Sequence, residues 1–219
     1  QSWTGCRSLP SLDDQCGSLH LIETVMLGGA GTGSLTHPIA GFDQATQAVE
    51  VRRSQTDSNM HGKALQSERE FIPPARMTIE LLLRFDGFPA PAKNSMATAV
   101  ATRADAKDCA FFLIVVEDGQ LAHLLDADAD WVETGFIPKT GEWYYVASTF
   151  EPADGNRTKI NTFVASLSDE HPQLVHVVKG HVAEGTAAVG RLGVGKGFDD
   201  TTAHAYPWSG ALDEIAVYN

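Results

Sequence analysis

The sequence contains no run approaching the ~18 consecutive apolar residues of a membrane-crossing helix, so insertion by a helix is excluded. Cysteine is scarce. Three residues, an odd number, cannot build a dense disulfide framework. Cys6 and Cys16 are close enough to close one short loop, and Cys109 borders the apolar run Ala110–Val116, as a buried thiol would. No paired Cys or His stands at zinc-site spacing. The histidines form no helical ligand pair, and His171, His176 and His181 read as exposed. Positive charge is also short: 16 Lys and Arg against 28 Asp and Glu leave a net charge of −12. Such a surface repels phosphate backbones, which excludes nucleic acid as a partner. It suits divalent cations, though acidity also serves solubility. The chain opens on Gln1 rather than Met, as a processed product or an excised piece would.

What the sequence has in quantity is extended chain. Strands are expected at Val49–Arg53, Lys63–Glu68, Met77–Phe85, Met96–Arg103, Ala110–Glu117, Gln120–Asp126 and Trp131–Glu133. Others follow at Trp143–Glu151, Lys159–Ser166, Leu174–Val178, Gly190–Gly195 and Ala211–Tyr218. Met77, Ile79, Leu81, Leu83 and Phe85 alternate with Thr78, Glu80 and Arg84, the period of two that a half-buried strand requires. Asp118-Gly119 between two apolar runs reads as a tight hairpin. Ala153-Asp-Gly-Asn156 reads as a second turn. Pro73-Pro74 cannot pair in a ladder and ends the strand before it. Trp143 and Phe150 lie on opposite parities of one strand, as in a central strand buried on both faces. Twelve short strands with little helix predict an all-β, antiparallel two-sheet β-sandwich.

Residues 1–45 read differently, as an N-terminal segment, a linker or part of a preceding region, ahead of a domain over 46–219. His20–Leu27 is apolar-rich, and Gly28-Gly-Ala-Gly-Thr-Gly-Ser34 follows it. This is not a nucleotide loop: no Gly-Lys-Ser/Thr follows, and the last glycine of the dinucleotide fingerprint is missing. A flexible loop is expected there.

Three stretches carry a family likeness: Met77-Thr-Ile-Glu-Leu-Leu-Leu-Arg-Phe85, Gly141-Glu-Trp-Tyr-Tyr-Val-Ala-Ser-Thr-Phe150, and Gly210-Ala-Leu-Asp-Glu-Ile-Ala-Val-Tyr-Asn219. Together and in this order they resemble the bacterial LamG-like jelly-roll domain of the concanavalin A-like lectin/glucanase superfamily. The likeness covers roughly residues 60 to 219. The chain departs from the pattern at Leu82, where the family prefers Trp, and at Tyr144-Tyr145, where it prefers His-His. The resemblance implies a jelly roll appended to a larger multidomain protein, extracytoplasmic or secreted. It also implies that Trp208, just before the closing motif, is a packing residue.

Asp213 shares its parity with Ile215 and Val217, so it is expected on the core side of the closing strand. A carboxylate there needs a strong partner. Two partners stay open: backbone N–H groups, or a structural calcium ion of the kind the resemblance implies. Early-chain oxygens around Asp57 and Asn59 would complete the calcium shell.

Two loops carry the other candidates. In Asp126-Ala-Asp128-Ala-Asp130-Trp131 three carboxylates alternate with alanine beside a flat apolar ring. Acceptors next to an aromatic face are what a sugar needs. The sixth and twelfth positions, Trp131 and Ile137, exclude an EF-hand. The long stretch Gly193–Trp208 offers Asp199, Asp200, His204 and Tyr206 for a hydroxyl-rich ligand.

Glucanases of the superfamily carry Glu-x-Asp-x-x-Glu on one strand. Glu68-Arg-Glu70 lacks the third member, and Asp126-x-Asp128 lacks the catalytic strand. The expectation is therefore a non-catalytic recognition module, not an enzyme, binding carbohydrate or a cell-surface partner and possessing a calcium-stabilised fold. The alternative is a glycoside hydrolase or other polysaccharide-acting enzyme. A purely structural or adhesion domain is the third reading.

Overall fold

The computed structural model describes residues 21–24, 32–36, 47–51, 64–88, 96–103, 109–116, 119–125, 131–186, 189–195 and 206–218. These form an all-β antiparallel sandwich. In chain order the strands are β1 (Leu21–Thr24), β2 (Thr32–Thr36), β3 (Gln47–Val51), β4 (Ala64–Phe71), β5 (Met77–Phe85), β6 (Ala97–Arg103) and β7 (Cys109–Val115). Then come β8 (Leu121–Leu124), β9 (Val132–Glu133), β10 (Trp143–Ala153), β11 (Arg157–Ser166), β12 (Val175–Glu184), β13 (Gly190–Val194) and β14 (Gly210–Tyr218). The first sheet runs β1-β4-β13-β6-β7-β8-β9, the second β12-β11-β10-β5-β14-β3-β2. Both are antiparallel throughout, and neighbours in space are often distant in sequence, which is the jelly-roll arrangement.

The period of two decides the layering. On β5 the odd residues Met77, Ile79, Leu81, Leu83 and Phe85 enter the core between the sheets. Their cross-strand partners on β10, Phe150, Ser148, Val146 and Tyr144, face the same way. Phe150 is thus a core residue and Trp143 lies on the opposite face, partly exposed. Gly119 takes a positive φ of 84° and donates to the Val116 carbonyl, closing the β7–β8 hairpin. Gly155, with φ of 73°, does the same work between β10 and β11.

Three local expectations change. Thr32–Thr36 is not a loop but strand β2, paired along its length with β3. The segment expected at Leu174–Val178 runs on to Glu184. Register shifts opposite Ile160, Thr162 and Phe163, with Gly180 at a positive φ of 58°, break the alternation by which a strand is read. The third concerns Asp213. It pairs with Leu82, on the face of β5 that points away from the core. A bulge follows: Glu214 and Ile215 together oppose one residue of β5, and Glu214 adopts φ of 48°. The extra residue reverses the parity, so Leu212 and Ile215 both enter the core while Asp213 does not.

β14 is locked to β5 by a close approach. Gly210 sits at φ of 140°, and a Cβ there would lie 2.0 Å from the Arg84 carbonyl oxygen. Two residues earlier Trp208, 0% exposed, donates its indole N–H to that same carbonyl at 3.0 Å. The packing role expected of Trp208 is the one it has. The ring also lies 5.4 Å from Phe85, centroid to centroid.

One polar group crosses the core. His123 shares its parity with the inward-facing Leu121 and Leu125, a signal already present in the sequence. It reaches from the first sheet to the second, where its Nε2 is hydrogen-bonded to Thr162 Oγ1 at 2.8 Å. Ser148 Oγ lies 3.1 Å from the same hydroxyl. Phe150 packs edge-on against the imidazole at 5.5 Å. Burial pulls the imidazole down from 6.5 to about 3, so it is neutral in the fold.

Two predictions follow from this packing. The unfolded chain protonates His123 below about 6.5 and the folded one does not. Its stabilising contribution is therefore complete above that pH and lost as pH falls toward about 3, by about 4–5 kcal/mol in the limit. Urea midpoints across that range should fall for the wild type and fall less for H123Q. Substitution G210A should cost about 3–5 kcal/mol, through backbone overlap and the positive φ together, as a lowered denaturation midpoint.

Candidate functional site

Asp128, Asp130, Asp199, Asp200, His204, Asp57 and Asn59 lie outside the described residues, as do Cys6 and Cys16. Trp131 precedes the short edge strand β9 and is 36% exposed. Tyr206 is partly buried at φ of 44°, and its carbonyl accepts the Thr98 N–H at 2.9 Å. Trp131 is thus at the edge of the first sheet, while Tyr206 is tied by its backbone to β6. Of the paired early carboxylates, Glu70 is exposed at the end of β4. His171 and His181 are exposed, but His176 is half-buried in a stack. Among the described residues no group of three or more His, Cys, Asp and Glu comes together as a metal site.

The structure gathers a different set, on the outer face of the second sheet. Its middle strands are β11, β10, β5 and β14, and cross-strand partners share a face. Leu82 lies between Tyr145 and Asp213. Glu80 lies between Ala147 and Ala216, and Ala147 is in turn paired with Phe163. Arg84 lies between Trp143 and Ala211. The floor of this face is small or sealed: Leu82, Ala147, Ala211 and Ala216 are buried. The partly exposed walls are Trp143, Tyr145, Phe163 and Tyr218.

Several polar groups on the face are engaged with neighbours. Tyr218 Oη donates to Glu80 Oε2 at 3.4 Å. Arg84 meets Asp86 with two parallel bonds, Nε to Oδ1 and Nη2 to Oδ2, each 2.8 Å. Its guanidinium carbon also lies 5.7 Å from the centre of the Trp143 ring. Phe163 and His176 stack at 4.2 Å and 16°. Asp213, 0% exposed, accepts the Glu214 N–H at 2.8 Å through Oδ1. The backbone N–H alternative raised for Asp213 is therefore seen directly, within the bulge. Glu80 is only half-buried, on the strand at the centre of the sheet.

A half-buried carboxylate beside a phenol, on a sheet face that also presents flat aromatic rings, can meet a sugar chain and exchange a proton with it. A fixed spacing of carboxylates along one strand does not describe this set. Its members come from four strands, and only Glu80's outward parity was readable.

An antiparallel jelly-roll sandwich with an aromatic-walled carboxylate face is the class these features define. Comparison with known proteins agrees with the fold. No protein-family model matches the chain, and no curated protein matches it. Among solved structures it is similar to the PL-14 alginate lyase of Aplysia kurodai, with a TM-score of 0.50, 8% identity, and coverage of 86% of this chain and 87% of the lyase. The endo-β-1,4-glucuronan lyase of the fungus Trichoderma reesei gives a TM-score of 0.49 at 12% identity, covering 98% and 91%. The endo-1,3-β-glucanase of Streptomyces sioyaensis gives 0.43 at 12% identity, covering 99% and 97%. At such identities the likeness is one of fold.

It nevertheless corrects the expectation of a non-catalytic module that is not an enzyme. The shared fold spans 87% of the solved chain of the Aplysia alginate lyase, an enzyme.

The role of Asp213 can be checked by D213A. Losing the acceptor for the Glu214 N–H in a buried bulge should cost about 1–3 kcal/mol, read as a reduced unfolding free energy in urea.

Proposed function

We propose that this chain is a carbohydrate-acting enzyme that cleaves a polysaccharide lying across the outer face of the second sheet. The observation that carries the reading is the position of Glu80. It is a half-buried carboxylate on the central strand, hydrogen-bonded to Tyr218 and on the same sheet face as Trp143, Tyr145 and Phe163. The similar alginate lyase supports it through the fold.

Breaking a glycosidic link requires a proton at the leaving oxygen, whether the chain is cut by hydrolysis or by elimination. Glu80 is the group on this face that can give and retake one. Tyr218 holds the carboxyl by its phenol and fixes its direction. The aromatic walls align successive sugar rings by their apolar faces. The small floor residues leave depth for the chain to approach Glu80. The three ordered motifs support a LamG-like relationship within this reading, and through it an extracytoplasmic or secreted setting.

The test is cleavage of a panel of purified polysaccharides, with new reducing ends and unsaturated ends measured separately. E80Q should lower turnover by about 10²–10⁴-fold, the usual share of general acid–base catalysis, while its melting temperature stays that of the wild type. If no polysaccharide is cut, or if E80Q cuts as fast as the wild type, the reading fails.

A further inference from the structure

The middle of the candidate face is short of positive charge. Over all of β10, β5 and β14 the sequence contains a single Lys or Arg, Arg84, against four carboxylates, Glu80, Glu151, Asp213 and Glu214. Arg84 is on the outer face, one register step from Leu82 and beside Trp143. Its guanidinium is clasped by both oxygens of Asp86 at 2.8 Å while lying over the Trp143 ring. A bidentate Arg–carboxylate pair takes one two-donor edge of the guanidinium and offsets the charge that would otherwise draw a carboxylate from outside. On the adjoining strand Lys159 lies 3.6 Å from Glu151 as a single, looser ion pair.

We infer that this face takes an uncharged glycan, and that Asp86 is the residue that turns away polyuronates by occupying Arg84. This rests on the reading of the face as a polysaccharide site. A polyuronate brings a carboxylate with nearly every sugar. It would find the one guanidinium of these three strands already engaged by Asp86. A neutral chain meets the aromatic walls and needs no such partner. The similar Aplysia enzyme is an alginate lyase, so the shared fold does not carry this preference with it. The preference comes from one side chain two residues past Arg84, at the end of the strand.

Binding is measured by calorimetry on the intact chain carrying E80Q, which separates association from turnover. The probes are a soluble uncharged β-glucan and sodium alginate at low salt. The E80Q chain should bind the glucan at least tenfold more tightly than alginate. Adding D86N should raise alginate affinity at least tenfold. That gain should shrink as salt is raised, since it is electrostatic. It should vanish in E80Q/R84Q/D86N, where no guanidinium remains to be released. Alginate binding equal to or tighter than glucan binding, no binding of either, or no gain with D86N would overturn the inference. Preferential glucan binding by E80Q alongside a wild type that cuts nothing would instead leave the specificity intact and remove the catalytic reading.

Discussion

The contact between β5 and β14 is the constraint on which the rest of the sandwich depends. Nine residues of each strand run side by side at the middle of the second sheet, and their chain positions are more than a hundred residues apart. The Arg84 carbonyl is its anchor. It receives the Trp208 indole N–H and lies against the bare Cα of Gly210, while the Asp86 N–H donates to the Ser209 carbonyl. A buried indole that could not donate its proton would be a liability. Here it marks the point where the last strand enters the sheet.

From that anchor the ladder sets which residues face outward. Without the bulge at Asp213–Ala216, Ile215 would be turned out of the core, since a shift of one residue moves every following side chain to the other face. With the bulge, the core keeps Leu212, Ile215 and Val217, and the outer face keeps Asp213, Ala216 and Tyr218. Tyr218 thereby comes within reach of Glu80. The same irregularity therefore completes the hydrophobic core and builds the polar site. His123 shows the complementary case. It is a polar group that the core accommodates by pairing it with hydroxyls of the opposite sheet and keeping it uncharged.

Much of the fold was legible because strands announce themselves locally. Alternation along Met77–Phe85, glycine at positions 119 and 155, and the proline pair after β4 each state a backbone requirement that neighbours cannot alter. Where local signals were weak, reading failed. Thr32–Thr36 has too few apolar residues to show a period, and Gly180 masked the continuation of β12. The candidate site was barely legible. Carboxylates spaced along one strand are legible only where the chemistry is contiguous in sequence. Here Glu80 is joined to Tyr218 across 138 residues and to its aromatic walls across two other strands.

The sequence by itself determined the class of the protein: all-β, two-layered and acidic. Those properties follow from composition and periodicity, which act over a few bonds. Only the tertiary structure decided which way Asp213 points, that Arg84 is neutralised by Asp86, and that Glu80 shares a face with Tyr218 and the aromatic side chains of two other strands. These depend on register between strands, and register is an agreement among distant segments that no one of them contains.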